Sequence, residues 1–189
     1  WSGFDETARM SLLMTLYENS VRNVLDRCSF VDWCARCLDT ERNPLIFSSL
    51  VSYGASENLR CEVTRAAFSD KLESLAETVS LDHELRLLAF REYMNSARNT
   101  QQWDELYAIW RDMKPFAGLS LSENDYTELS YSLQLACPDS AAVIASQQRA
   151  RITNADRLAT YDFVCRAASP DSAARRELFD YILSDPAHL

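Results

Sequence analysis

Three glycines, Gly3, Gly54 and Gly118, are all that this chain of 189 residues contains. Ordinary usage is ~7%, and glycine supplies the positive-φ positions on which tight hairpins and phosphate-cradling loops depend. A chain this poor in glycine has little with which to build a β-rich or Rossmann-like fold. The scarcity directs it to helix.

The rest of the sequence agrees. Asn43-Pro44 and Ser169-Pro170 each set a capping side chain before proline at a first helical position, where its missing N–H costs nothing. Ser29-x-x-Asp32 and Ser122-x-x-Asp125 read as capping boxes with Asp in the place of Glu. Asn154 ahead of Asp156, and Ser80 ahead of Asp82 and Glu84, put acids where a helix dipole favours them. Between these signals the apolar residues fall three and four apart: Met10, Leu13, Met14, Tyr17 and Val21; Phe68, Leu72, Leu75 and Val79; Trp103, Leu106, Tyr107 and Trp110; Leu158, Tyr161, Cys165 and Ala168. No segment alternates like a strand.

The spacing predicts about ten helices, over 5–22, 29–39, 44–53, 57–79, 81–97, 101–112, 122–135, 139–149, 155–168 and 170–183. Short linkers between them imply antiparallel hairpins. Helix pairs recur every ~30–40 residues, the period of HEAT-like units, although no repeated sequence marks them. The expected fold is all-α, a single helical domain over 1–189 with hairpins stacked as a HEAT/armadillo-like solenoid; a compact irregular bundle would leave nearly the same pattern.

Composition narrows the function. A hydrophobic fraction of 47% excludes disorder, and no apolar run approaches the ~20 residues of a membrane span. The formal charge is −9, with lysine only at Lys71 and Lys114. So acidic a surface repels a phosphate backbone, and no nucleic-acid partner is expected. The opening Trp1-Ser2-Gly3-Phe4 does not read as a signal peptide. It suggests a fragment or processed product, which leaves the compartment open between cytoplasm and bacterial periplasm.

Several motifs come close to chemistry. His83-Glu84-Leu85-Arg86 is followed by Leu87, where a His-Glu-x-x-His zinc helix needs its second imidazole one turn on. The other histidine, His188, lies near the end of the chain, so no Ser/His/Asp set can be assembled. Trp33-Cys34-Ala35-Arg36-Cys37 spells W-C-x-x-C. A low thiol pKa there needs the first turn of a helix after a strand, whereas a cap at Ser29 buries both sulfurs inside a helix. On this reading Trp33 and Cys37 are core and Cys34 a small neighbour. A metal set from Cys28, Cys34, Cys37 and Cys61 lacks a second C-x-x-C. The six cysteines, Cys137 and Cys165 included, read as mostly reduced, buried thiols. The carboxylates Asp104, Glu105, Glu123, Asp125 and Glu128 read as a solvated helix face. Arg149, Arg151 and Arg157 read as surface salt links, with a carboxylate-binding groove as the alternative.

Two segments resemble a known family. Leu12-Leu13-Met14-Thr15-Leu16-Tyr17-Glu18-Asn19 resembles the L-x-x-L-Y-E-N helix in the C-terminal region of bacterial M1-family zinc aminopeptidases. Arg151-Ile152-Thr153-Asn154-Ala155-Asp156-Arg157, continuing through Tyr161-Asp162-Phe163-Val164 and Ser169-Pro170-Asp171 to Arg175-Arg176-Glu177-Leu178-Phe179, resembles the I-x-N-P-D-R … F-x-F-V … S-x-D … R-D-x-F pattern near their end. Ala155 stands where the pattern has proline. The segments lie near opposite ends of the chain, and they are structural motifs. The resemblance implies the helical, HEAT-like C-terminal domain of a zinc metallopeptidase, packed on its own N-terminal catalytic domain and helping to enclose a peptide substrate. It implies no catalytic, cofactor or metal residue here, the zinc being expected in the catalytic domain. The alternatives are an independent helical scaffold that binds a protein or peptide and, behind it, a Cys34/Cys37 dithiol protein.

Overall fold

The computed structural model describes residues 1–97 and 99–184. Among them ten α-helices run in order: α1 (Glu6–Val21), α2 (Arg27–Leu38), α3 (Pro44–Asn58), α4 (Glu62–Glu77), α5 (His83–Ser96), α6 (Thr100–Asp112), α7 (Glu123–Ala136), α8 (Ala141–Arg151), α9 (Ala155–Cys165) and α10 (Ser172–Ser184), with a 3-10 turn at Pro138–Ser140. No strand occurs among the described residues; one isolated bridge joins Phe116 and Leu119. The all-α expectation therefore holds, and no described helix is long and apolar enough to cross a membrane. The chain divides into two compact units, one of Trp1–Asn99 with Phe116–Leu119, the other of Thr100–Pro115 with Ser120–Leu189.

Most helix starts lie where local chemistry places them. Asn43 accepts from the N–H groups of Leu45 and Ile46 with Pro44 at the first position. Ser122 and Asp125 form a reciprocal capping box, and Asn154 accepts from Asp156 and Arg157. Several starts differ, among them that of the helix expected over 57–79: α3 runs on to Asn58 and α4 begins at Glu62. The second helix begins at Arg27 because Asp26, not Ser29, is its cap; its carboxylate takes both the N–H and the hydroxyl of Ser29 at 2.8 Å. Asp82 rather than Ser80 caps α5. The last helix starts at Ser172, two residues after Pro170, with the Asp171 carboxylate accepting from Ala173 N–H.

In the first unit neighbours in sequence pack on one another, α2 on α3 and α4 on α5, and alternate helices close the layer, α3 on α5 and α2 on α4. Contact between near neighbours in the chain is how a helical solenoid is built. Phe30, Leu38, Phe47, Leu50, Phe68, Leu72, Phe90 and Tyr93 are fully buried there. The third helix continues past residue 53 through Gly54, a position where packing leaves no room for a Cβ. A Cβ at this position would stand 2.7 Å from the Phe68 ring and 3.3 Å from Cys34 Cβ, so the helix tolerates glycine in exchange for close approach of its neighbours. The chain between α6 and α7 returns to this unit as a tight turn. Ala117 (φ 45°) and Gly118 (φ 81°) give the two positive-φ centres of a type I′ turn. Phe116 packs on Phe90 at 4.8 Å, and Arg86, 7% exposed, donates to the carbonyls of Ala76 and Ala117.

The second unit packs α6 on α7, α7 on α8 and α8 on α9. Trp110 is its largest fully buried side chain. Its Nε1–H donates to Gln148 at 2.8 Å, and Gln148 in turn donates to Thr127. Tyr161 is a second hub: its hydroxyl donates to the Ala145 carbonyl, and Gln134 joins it to Cys165.

Candidate functional site

Of the residues singled out by motif, the structure brings two together covalently. Cys28, in the first turn of α2, and Cys61, at the N-cap of α4, form a disulfide with Cα atoms 5.6 Å apart, 33 residues apart in sequence. The expectation was of mostly reduced, buried thiols, and Cys28 and Cys61 depart from it as a bonded pair. Packing of α2 on α4 makes the approach, which no local spacing encodes. It also removes two of the four sulfurs from the imagined metal set, and the remaining residues do not fit a zinc site. Leu87 is an aliphatic residue on a helix whose first residue, His83, is exposed. His188 lies outside the described residues.

Cys34 and Cys37 are free, 0% and 4% exposed. With the cap at Asp26 they lie about two turns or more inside α2. Burial, and then the proximity of Cys37, push the Cys34 thiol far up. Burial raises Cys37 to about 11, against the opposing pull of Arg36. A thiolate is the nucleophile in thiol exchange, and neither residue supplies one near neutrality. The peptide carrying Cys34 and Cys37 should therefore label with iodoacetamide at pH 7 at least ~10-fold more slowly than free cysteine, read by mass spectrometry of the folded protein; labelling at the free rate would restore the dithiol reading. Trp33, expected in the core, is half-buried and stands edge-on to Trp1 at 5.3 Å. Cys137 and Cys165 are likewise only half-buried.

The charged residues sort similarly. Arg149 holds Asp162 with two hydrogen bonds of 2.8 and 2.9 Å, and Arg157 meets Glu123 at 3.2 Å, as surface links. Arg151 departs from that expectation. Its guanidinium lies 4.6 Å from the Trp110 ring centre and donates to the carbonyls of Trp110 and Arg111, closing the end of α6. Asp125, read as solvated, is 2% exposed in its capping box.

The second unit carries a groove of about 280 Å³ between α7 and α9. Its floor is Tyr131 and Tyr161, stacked at 5.3 Å and 19°, with Ile152 and Val164 beside them. Glu123, Glu128, Asp156 and Arg157 form the rim. Burial and then Glu128 raise the Tyr131 hydroxyl to about 12, and burial raises Tyr161 further. Both phenols are thus neutral hydrogen-bonding groups. The floor can take an apolar or aromatic side chain and the rim a polar backbone, which is the chemistry of peptide contact. Reasoning along the sequence missed this groove; the stacking of Tyr131 on Tyr161 joins residues 30 apart, and only the helical stripe through Tyr161 hinted at it.

Comparison of the chain with protein-family models, with curated proteins and with solved structures gives no match.

Proposed function

We propose that this chain is a non-catalytic helical domain of an M1-family zinc aminopeptidase, packing on a catalytic domain and helping to enclose its peptide chamber. One observation carries the reading: the residues shared with the family's closing pattern do structural work in this fold. Ile152 is buried, Asn154 caps α9, and Arg157 pairs with Glu123. Asn154 fills the capping role despite Ala155 in place of proline, since the cap comes from its own side chain. The first segment behaves alike: Leu13 is buried, and Tyr17 stacks on Tyr53 at 4.1 Å.

On this reading the zinc belongs to the catalytic domain, where it would activate the water that attacks the peptide bond. This chain would contribute shape and peptide contact, for which the α7–α9 groove is the best-suited surface in the second unit. Sequencing the coding region upstream of the Trp1 codon tests the proposal. The expected result is an in-frame His-Glu-x-x-His; a start codon beside Trp1 preceded by an in-frame stop would overturn it.

A further inference from the structure

A second groove, of about 320 Å³, lies between α3 and α5 in the first unit. The third helix offers Ser52, Ala55, Ser56 and Leu59, one face of a helix by their spacing, and the fifth offers Glu92, Asn95 and Ser96. Small side chains on α3 leave the trough open. Glu92 is half-buried in it and has no hydrogen-bond or ion-pair partner among the described residues. Burial alone raises its carboxyl to about 7.

Among the described residues Glu92 is the one charged side chain that lines the groove. From α3 the titratable side chains are Tyr53 and Glu57; Glu57 takes the Ser20 hydroxyl at 2.8 Å and faces Arg27 at 3.2 Å. From α4 they are Glu62, Arg65, Asp70, Lys71, Glu73 and Glu77, none of which lines the groove. Arg65 donates to the Leu59 carbonyl, and Lys71 pairs with Asp39. On α5 itself the other titratable side chains are His83, Glu84, Arg86, Arg91 and Tyr93, none of which lines the groove, and Arg86 is held by the two carbonyls already described. A carboxylate taken from water without a partner is costly, and one in a cleft marks a candidate binding group.

We propose that the α3–α5 groove binds an alkylammonium group, in the form that a lysine side chain presents, with Glu92 as its counter-charge. The donor set selects this class. An ammonium has three N–H donors; Glu92 can take one, and the hydroxyl oxygens of Ser52 and Ser56 stand along the same trough. Ala55 and the exposed Leu59 offer apolar surface to an alkyl stem. A divalent metal is a poor match, because one carboxylate falls short of the several oxygen ligands that calcium requires. The proposal is independent of the parentage inferred above.

The test is a ¹H–¹⁵N NMR titration of the whole chain with Nα-acetyl-lysine amide, n-butylammonium and, as the neutral control, n-butanol. At pH 8 the two amines should give saturable shifts at Ser56, Glu92 and Asn95. Because only the ionised carboxylate attracts the cation, affinity should be roughly 30-fold weaker at pH 5.5, the ratio of the ionised fractions. The isosteric Glu92→Gln variant, its spectrum otherwise superimposable, should abolish the shifts. Equal binding by Glu92→Gln, equal binding of n-butanol, or no saturable shift at pH 8 would each overturn the site. Binding of n-butylammonium without the lysine amide would overturn its assignment to a lysine side chain.

Discussion

Reducing the Cys28–Cys61 disulfide should lower the thermal midpoint by roughly 10 °C, from a loss of about 3–4 kcal/mol for a closed loop of this size. The bond ties the first turn of α2 to the first turn of α4, two helices already in contact, so it restrains the unfolded chain more than it reshapes the native one. It also holds a helix start that has no side-chain cap. Cys61 occupies the N-cap of α4 but gives no side-chain cap bond, unlike Asp26, Asn43 or Asn154. Scanning calorimetry with and without dithiothreitol makes the measurement. The Cys28→Ser/Cys61→Ser double variant should melt at the reduced midpoint and be indifferent to reductant, which separates the disulfide from the four free cysteines. Thiol titration of the denatured protein should find four groups before reduction and six after it. Six groups without reductant would mean that the bond does not form.

What could be read along the chain was what the chain settles within a few residues. Asn43, Ser122 and Asn154 cap their helices through bonds to N–H groups two or three positions away, so both partners sit in one short window. The α2 start was misplaced by three residues because Asp26-x-x-Ser29 and Ser29-x-x-Asp32 are equally good local patterns. The carboxylate wins by accepting twice, from the Ser29 N–H and hydroxyl, and Asp32 goes to Arg36 one turn on. The other misses depend on distant partners. Gly54 owes its place in α3 to Phe68. Cys28 needs Cys61, and Arg151 finds carbonyls 40 and 41 residues back. Neither groove is a stripe in the sequence; each is the gap left where two helices meet. Helical periodicity predicts faces, but which faces part and which close is decided by side-chain volumes from elsewhere in the chain.

Glu41 lies in the same class, and its removal should produce the other large effect: replacing it by alanine should cost about 3–5 kcal/mol, the range for breaking a buried ion pair from one side. Its side chain is 1% exposed. One oxygen accepts from Trp1 Nε1 at 3.1 Å and Arg9 Nε at 2.9 Å. The other accepts from Arg9 Nη2 at 3.2 Å and from the backbone N–H groups of Arg42 and Asn43 at 2.9 Å each. Five donors thus converge on one carboxylate, which fixes the α2–α3 loop, sets Asn43 in place as the α3 cap, and clamps α1 through Arg9. Glutamine should fare little better than alanine. An amide keeps one acceptor and turns two donors toward groups that are all donors themselves, and it leaves Arg9 without its counter-charge. The pH dependence follows in sign. Burial works to raise the Glu41 carboxyl, but the Asn43 N–H, the Arg9 guanidinium and the Arg42 N–H outweigh it, and the net shift is downward. A carboxyl lowered in the folded state stabilises at pH values above its unfolded value of about 4.3, and that contribution is lost as pH falls through the folded value. Urea unfolding of the wild type and Glu41→Gln should therefore differ most at pH 6–7 and converge below pH ~4. A difference under ~1 kcal/mol at pH 7, or one that grows toward acid, would show that the five donors find other partners when the carboxylate is gone.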